Sequence, residues 1–448
     1  MNNIITIKKY DKYKDSGIEW IGEIPQNWDR TKLKRLLSIP ITDGPHETPE
    51  LLDDGIPFLS AEAIKNNKLN FDLKRGYISP EEHRRFCRKC KPQLNDIFMI
   101  KSGATTGNVA IVETEEDFSI WSPLALIRVN KNILNYKYLF YYLQSYIFQK
   151  QVELFWSYGT QQNIGMEVLG NLYIAFTTTP DEQQQIADYL DKKCGEIDKV
   201  VETEKAVIER LKEYKQSVIT EAVTKGLDKS VPLKDSGIEW IGKIPEHWEI
   251  QRLKQLISKP LQYGANESGD VYNEHCPRYI RITDINIEDN SLKEEGKLSL
   301  SIEKAKDYIL ENNDILFARS GATVGKTFLY KSEYGLSAFA GYLIRARMNK
   351  KVKAQYLYYY TLSKVYEEWK NRIFIQATIQ NIGANKYNNL EISLPLLEEQ
   401  KKIIDYLDKK CSEIDKVITG KEQLIEKLTE YKKSLIYECV TGKRKVAE

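Results

Sequence analysis

The sequence has few of the features that mark secreted, membrane or disulfide-rich proteins. Six cysteines in 448 residues are too sparse for a disulfide scaffold, which favours a reducing compartment. No run approaches the roughly 18–20 apolar residues of a membrane span, and the N-terminus lacks the apolar core of a signal peptide. With 42% hydrophobic and 29% charged residues, these absences predict a cytoplasmic protein of several folded domains.

Motifs of common enzymes are also missing. The chain contains no Pro-Pro dipeptide, which excludes the D/N/S-P-P-Y/F motif of amino-methyltransferases, and no G-x-S-x-G or H-E-x-x-H. Four histidines leave little capacity for general-base catalysis. A net charge of +2 argues neither for nor against nucleic acid. The sequence therefore predicts a chain that binds rather than catalyses.

The chain contains two copies of one sequence. Four blocks return in the same order after 217 to 220 residues. They are KDSGIEWIGEIPQNW at 14–28 and KDSGIEWIGKIPEHW at 234–248, the SGAT turns at 102–107 and 320–325, the QNIG turns at 160–165 and 378–383, and DYLDKKC at 188–194 and 405–411. A period this long predicts that each copy is a complete folding unit rather than a solenoid repeat. Segments 36–95 and 256–313, by contrast, share little beyond apolar patterning. This contrast favours a shared frame that carries two different reading surfaces, with neutral loop drift as the alternative.

Each copy ends in an apolar stripe with a spacing close to the coiled-coil repeat. The two stripes include Ile186, Leu190, Ile197, Leu211 and, in the second copy, Ile403, Leu407, Ile414, Leu428. Pro180 and Pro395 precede the stripes, and Gly226 and Gly442 lie where helices should stop. Two long helices that pack antiparallel, with a globular unit at each end, would bury both stripes. The alternative is that each helix folds back on its own domain.

Within each globular copy, short buried strands and tyrosine-rich helices alternate. We expect strands at 96–100, 124–129, 314–318 and 342–346, and helices at 136–143 and 356–362. The expected fold is α+β: two similar globular α/β domains joined by two long antiparallel coiled-coil helices, with pseudo-two-fold internal duplication. The expected boundaries are domain 1 at 1–180, helix 1 at 181–226, domain 2 at 227–396 and helix 2 at 397–448.

Two motifs suggest chemistry that their context does not support. SGATVGKT at 320–327 ends like a phosphate-binding loop, but Ser320 replaces its first glycine, and the first copy has Asn108 in place of Lys326. His83, Cys87 and Cys90 have the spacing of zinc ligands but lack an evident fourth ligand, so incidental residues on a helix surface are the preferred interpretation.

The repeated frame block, the two SGAT turns, the two QNIG turns and the helices that open PDEQQQIADYLDKK and LEEQKKIIDYLDKK together resemble one family. This family is the specificity (S) subunit of type I restriction–modification systems. The resemblance covers almost the whole chain. Asn108 departs from it, because lysine is the commoner residue after SGATVG in the family, and this puts in doubt any DNA contact at that position.

The resemblance implies two target recognition domains that each read one half of a bipartite, asymmetric site in double-stranded DNA. The helices would set the spacing between half-sites and dock two methyltransferase (M) subunits, and two motor-nuclease restriction (R) subunits would complete the complex. S-adenosylmethionine, ATP and Mg²⁺ are then expected on those partners, with no cofactor, metal or catalytic residue in this chain.

We expect DNA contacts from the paired turns, because Gln and Asn can pair with adenine edges and Lys or Arg with guanine or phosphate. These candidates are Lys101, Ser102, Thr105, Gln161, Gln162 and Asn163, with Arg319, Ser320, Thr323, Gln380 and Asn381. Base readers are expected in the differing segments, near Arg75, Arg84, Arg85 and Arg281. Three alternatives remain: a duplicated protein-binding scaffold without nucleic acid, an ATPase that uses Lys326, and a specificity subunit of another restriction–modification type.

Overall fold

The duplication in the sequence is repeated in the fold. The computed structural model describes residues 8–158, 162–286, 289–321, 323–375 and 381–446. The chain divides into a first unit, Met1–Glu204 with Gln423–Glu448, and a second unit, Lys205–Glu422. Each unit therefore combines one globular copy with segments of both long helices.

The first copy contains fifteen short strands and five helices among its described residues. The strands are β1 (Tyr13–Asp15), β2 (Glu23–Pro25), β3 (Trp28–Lys32), β4 (Thr42–Asp43), β5 (Ile56–Leu59), β6 (Ile64–Lys65), β7 (Lys68–Leu69), β8 (Gly76–Ile78), β9 (Ile97–Ile100), β10 (Val109–Ile111), β11 (Ser119–Ile120), β12 (Leu124–Ile127), β13 (Ser157–Tyr158), β14 (Gln162–Asn163) and β15 (Tyr173–Thr177). The helices are α1 (Pro80–Cys87), α2 (Tyr136–Gln144), α3 (Tyr146–Phe155), α4 (Met166–Asn171) and the long α5 (Pro180–Lys225).

The second copy repeats most of these elements within its described ranges. Its strands are β16 (Leu233–Asp235), β17 (Lys243–Pro245), β18 (Glu249–Arg252), β19 (Gln262–Tyr263), β20 (Asp270–Val271), β21 (Arg278–Ile280), β22 (Leu298–Ser299), β23 (Ile315–Ala318), β24 (Thr327–Leu329), β25 (Ser337–Phe339), β26 (Leu343–Ala346) and β27 (Glu391–Leu394). Its helices are α6 (Ile302–Ala305), α7 (Ala354–Thr361), α8 (Lys364–Ile375), α9 (Ala384–Asn388) and the long α10 (Leu397–Val440).

The two main sheets of the first copy have counterparts in the second. An antiparallel sheet of order β10-β9-β12-β4 in the first copy corresponds to β24-β23-β26-β19 in the second. A second sheet, β11-β5-β8, corresponds to β25-β21-β22-β20, and its parallel pair is β11–β5 or β25–β21. Segments 36–95 and 256–313 thus share strand pairing although their sequences differ. The structure confirms the duplicated α+β organisation.

The expected strands and aromatic helices are present. β9, β12, β23 and β26 are buried at every position, and α2 and α7 occupy the tyrosine-rich runs. Tyr138 and Tyr142 in the first unit and Tyr356 and Tyr360 in the second are fully buried. These tyrosines are core residues, as predicted, because their rings alternate with leucines on one helix face.

Segments of α5 and α10 pack antiparallel inside each unit. In the first unit Lys432 donates to both carboxylate oxygens of Asp198 at 2.6 Å, and in the second Lys215 donates to Asp415 at 2.7 Å. The same segments also pack on the globular copies, because Ile186 belongs to one hydrophobic core with strand residues of the first unit. Within the first unit, residues of the α5 stripe therefore share one core with residues of α10 and of the globular copy.

Each globular copy also binds the C-terminal end of a long helix. The hydroxyl of Tyr138 donates to the carbonyl of Val440 at 2.9 Å, and the hydroxyl of Tyr356 donates to Val223 at 3.2 Å. These bonds satisfy carbonyls of the last turn that have no partner within the helix. In the part of the chain that the structure describes, no helix combines the length and apolar character needed to cross a membrane.

Candidate nucleic-acid interface

The SGAT and QNIG turns lie side by side in the first unit. Ser102 forms a β-bridge with Asn163, and the backbone N–H of Gly103 donates to the carbonyl of Gln162 at 3.0 Å. Thr105 is exposed at the tip of the SGAT turn. Two motifs that are about 60 residues apart in sequence are therefore one surface element, in which short polar side chains lie beside backbone.

The second unit repeats this pairing. Ser320 forms a β-bridge with Asn381, and the N–H of Ile382 donates to the carbonyl of Arg319 at 2.8 Å. Thr323 lies within the same SGAT turn and is partly buried. Gln161 and Gln380, the other candidates of the QNIG turns, lie outside the described residues. The structure thus brings the candidates of each turn pair together, and their contact with DNA stays a prediction.

The cation beside the first SGAT turn belongs to a charged cluster centred on Asp43. This carboxylate is fully buried, and Lys89 donates to its Oδ1 at 2.5 Å. Lys101 Nζ and His46 Nε2 each lie 3.2 Å from Oδ2. Burial raises the pKa of Asp43, but the hydrogen bond from Lys89 and the nearby positive charge of Lys101 outweigh burial and leave that pKa below its ordinary value. Asp43 is therefore a carboxylate that holds two lysines.

A tyrosine takes the place of this aspartate in the second unit. Asp43 lies on β4 opposite Ala125 of β12, and Tyr263 lies at the equivalent place on β19, opposite Ile344 of β26. The guanidinium of Arg319 lies 4.9 Å from the centre of the Tyr263 ring, a cation–π contact. No carboxylate binds Arg319 among the residues that the structure describes. The two units thus hold the turn cation in two different ways.

Both residues begin short loops that share a Gly-x-x-Glu pattern. A Cβ on Gly44 would lie 1.9 Å from the carbonyl oxygen of Ile120, and one on Gly264 would lie 2.3 Å from the carbonyl of Phe339. Only glycine permits this close approach of two backbones. The pattern, GPHE at 44–47 and GANE at 264–267, also recurs after 220 residues, so self-comparison could have found it within the differing segments.

The glutamate of each loop binds a cation of the variable region. Glu47 pairs with Arg85 on α1 at 2.9 Å, and Glu267 pairs with Lys304 on α6 at 2.9 Å. The carbonyl of Glu47 also accepts a hydrogen bond from the indole N–H of Trp121 at 3.2 Å. The loop of the first unit therefore links α1 to Trp121, which lies between β11 and β12, and the loop of the second unit contacts α6.

The four arginines predicted to lie near base readers have different surroundings. Arg75 stacks over Trp121 at 4.3 Å and pairs with Glu62 at 3.5 Å, whereas Arg84 is exposed and forms no ion pair with a described residue. The guanidinium of Arg281 donates to Asp284 at 2.7 and 3.1 Å. Arg85 contacts the 44–47 loop directly, through Glu47. Arg75 contacts this loop indirectly, because it stacks on Trp121, whose indole N–H donates to the carbonyl of Glu47. The sequence did not indicate Asp43 or Trp121 as members of this surface.

Most of the stripe residues proposed for partner docking are interior. Ile186, Leu190, Ile197, Ile403, Leu407 and Ile414 are buried in their own units, and Leu211 and Leu428 are partly buried. A partner on these helices would contact other positions. Two matched pairs of apolar residues are exposed there: Val200 with Tyr431 in the first unit and Val417 with Tyr214 in the second, each 44–50% exposed.

The other candidate chemistry does not assemble into a site. His83 Nδ1 lies 2.9 Å from Ser119 Oγ, but both side chains are buried within the fold. Cys90 is part of a hydrophobic core. Within the described ranges, no group of three or more His, Cys, Asp or Glu residues could hold a metal ion.

Comparisons with known proteins agree on one family. A family model described as the type I restriction modification DNA specificity domain matches residues 25–213 and again residues 245–429. The MjaX type I restriction enzyme specificity subunit of Methanocaldococcus jannaschii is 27% identical over 440 residues, which cover 95% of this chain and 96% of that protein. The StySPI specificity subunit of Salmonella potsdam is 21% identical over 94% of this chain and 90% of its own.

One solved structure is similar over nearly its whole length. It is a chain from work on complex assembly and conformational transition of the type I R-M system. The superposition has a TM-score of 0.68 at 16% identity and covers 94% of this chain and 99% of that chain. At this identity the likeness concerns the fold.

Proposed function

Because the chain belongs to the family of type I restriction–modification DNA specificity proteins, of which it carries two domain copies, we propose that it is the sequence-specific DNA-recognition subunit of a type I restriction–modification complex. The observation that carries this proposal is the pair of specificity domains with one topology and two different variable segments. A duplicated frame with unlike surfaces suits a bipartite target whose halves differ in sequence. The chain itself is a non-catalytic subunit.

Each globular copy reads one half-site. The repeated SGAT and QNIG turns offer the same groups in both units and therefore suit phosphate positioning, which carries no sequence information. The variable segments differ between the units and supply the base contacts. In the first unit Arg75, Arg84 and Arg85 lie on or beside that segment, and in the second Arg281 does.

The long helices carry the surfaces that bind the partner subunits. Val200 with Tyr431 and Val417 with Tyr214 are equivalent exposed apolar pairs, one in each unit, and two copies of one methyltransferase subunit require two such equivalent surfaces. The helices also set the separation of the half-sites. Two motor-nuclease subunits complete the assembly. S-adenosylmethionine, ATP and Mg²⁺ bind those partners, which methylate adenine at N6 and cleave DNA.

A segment exchange tests the assignment of half-sites. We would replace residues 256–313 with residues 36–95, co-express the chimera with its methyltransferase and map methylated adenines by sequencing. The expected motif is symmetric and contains the first half-site twice, because both units then carry the same reading segment. An unchanged asymmetric motif would contradict the assignment. Co-purification of the methyltransferase with the chimera serves as the control for folding.

A duplicated protein-binding scaffold is the second candidate, and DNA binding separates the two. The complex of this chain with its methyltransferase should bind duplex DNA with an affinity that falls as salt rises, since bound lysines and arginines displace counterions. A scaffold would show no such slope.

A further inference from the structure

The Asp43 cluster joins the constant and variable parts of the first unit. Lys101 precedes the SGAT turn of the shared frame, whereas Lys89 follows α1 in the variable segment. Both amines lie within 2.5 to 3.2 Å of one buried carboxylate. Lys89 Nζ also donates to the carbonyl of Gly44 at 3.0 Å. Two cations beside the proposed DNA surface are therefore fixed in position.

The three charged side chains of this cluster differ in their exposure to solvent. The Asp43 side chain is 0% exposed, that of Lys101 is 12% exposed and that of Lys89 is 47% exposed. A phosphate that draws either lysine away leaves a buried carboxylate with one partner fewer, which is costly in the protein interior. Lysines on a flexible surface carry no such penalty and bind any phosphate within reach.

The second unit lacks this restraint. Tyr263 occupies the position of Asp43, and its ring supports Arg319 without compensating the positive charge. Its hydroxyl accepts a hydrogen bond from the N–H of Ala384 at 3.0 Å, next to the QNIG turn. The matched positions 43 and 263 therefore differ in charge while both contact the cation of the SGAT turn.

We propose that Asp43 is a specificity-determining residue of the first unit, which restrains Lys89 and Lys101 so that DNA of any sequence gains little from them. Asp43 is a positioning residue: it acts through the two lysines and does not itself touch DNA. The proposal rests on the DNA-reading function proposed above. It predicts that removal of the Asp43 charge raises non-specific DNA affinity, an effect that structural damage does not produce.

The variant Asp43→Asn tests this directly. The full chain, in complex with its methyltransferase, is titrated onto a fluorescent 40-base-pair duplex that lacks the methylated motif, at 50 to 200 mM salt. The net charge of the cluster rises by one, so the slope of log affinity against log salt should become steeper by about 0.9. The gain in affinity over the native chain should then shrink by about 3.5-fold across this salt range. Discrimination in favour of the methylated motif should fall.

Two matched variants control for charge and for shape. Asp198→Asn removes one carboxylate charge from an ion pair on the long helices, with Lys432 at 2.6 Å, and should leave the slope unchanged. Asp43→Glu keeps the charge and should retain the native slope. A salt slope in folded Asp43→Asn that is the same as in the native chain, or shallower, would overturn the proposal. So would an Asp198→Asn slope that is as steep as that of Asp43→Asn.

The second unit supplies an independent test if Asp43→Asn does not fold. Tyr263→Asp places a carboxylate beside Arg319 and should make the slope shallower by about 0.9, whereas Tyr263→Phe keeps the ring and should match the native slope. Equal slopes for these two variants would overturn the proposal. A native complex that binds DNA without any salt dependence would instead overturn the proposed function itself.

Discussion

Replacement of Asp314 by asparagine should destabilise the second unit strongly. The Asp314 carboxylate is fully buried just before β23, the strand that leads into the second SGAT turn. It accepts hydrogen bonds from Arg347 at 2.8 and 2.7 Å and from the N–H of Glu311 at 2.8 Å. The hydrogen bond to Asp314 raises the pKa of Arg347, so this guanidinium is charged throughout the physiological range. A neutral amide at this position would be unable to accept all three bonds, because one of its two polar atoms is a donor.

The magnitude follows from burial. The Arg347 side chain is only 14% exposed, and without the Asp314 carboxylate it keeps one ion pair, with the exposed carboxylate of Glu311. Removal of one partner of a buried pair costs about 3–5 kcal/mol, and we expect the lower end, about 3 kcal/mol, because Glu311 remains. For a unit of this size that loss corresponds to a decrease in Tm of roughly 6–12 °C. Asp415→Asn removes a carboxylate from the exposed pair with Lys215 in the same unit and should cost less than about 1 kcal/mol.

Thermal unfolding of the full chain, followed by circular dichroism, measures both variants. Hydrogen exchange of peptides that contain β23 locates the loss, and exchange there should become faster in Asp314→Asn than in Asp415→Asn. Equal decreases in Tm for the two variants would refute the reasoning, because burial would then not decide the value of the pair.

Three further predictions concern the helices and the turns. Gly226 follows α5 with φ +71°, and a Cβ there would lie 3.2 Å from Trp248, so Gly226→Ala should lower the free energy of unfolding by about 1–2 kcal/mol. Gly420 lies inside α10, and a Cβ there would meet no atom within 4 Å apart from the backbone of its own helix, so Gly420→Ala should raise the free energy of unfolding by up to about 1 kcal/mol. Urea unfolding measures both changes, and a change of the opposite sign in either variant would contradict the prediction. Arg319→Met should make the salt slope of DNA binding shallower by about 0.9, whereas Lys410→Met on α10 should not change it; an identical slope for both would exclude Arg319 as a phosphate contact. Tyr214→Glu or Tyr431→Glu alone should leave one methyltransferase bound to the chain, and the double variant should bind none. Native mass spectrometry counts the bound copies, with Glu213→Gln as the control. Two bound copies in the double variant would place the docking surface elsewhere.

Repeated and periodic features of the fold were predictable from the sequence. The long helices α5 and α10 follow from apolar spacing, because a stripe along a helix needs a partner surface. Strands β9 and β23 follow from short runs of apolar residues that occur at equivalent places in both copies. The ends of α5 and α10 near Gly226 and Gly442 follow from the preference of glycine for positive φ after a helix.

The common topology of the variable segments and the Asp43 cluster were not predicted. β5 and β21 occupy the same sheet position because backbone hydrogen bonds, rather than side chains, define strand pairing, and those bonds leave no sequence signature. Asp43, Lys89 and Lys101 come from three separate parts of the chain, and only the folded backbone brings them to one point. The stripe residues were identified correctly as helical, but a periodic pattern does not distinguish a surface for a partner from the protein's own core.

Genome-wide mapping of methylated adenines, in a host with and without this gene, tests the central claim most directly. The two globular units with unlike variable segments predict a bipartite, asymmetric motif that is methylated only when the chain is present, and a change of one half of that motif when one variable segment is altered. Methylation that is the same in both hosts, or a motif that is a single uninterrupted sequence, would contradict the account.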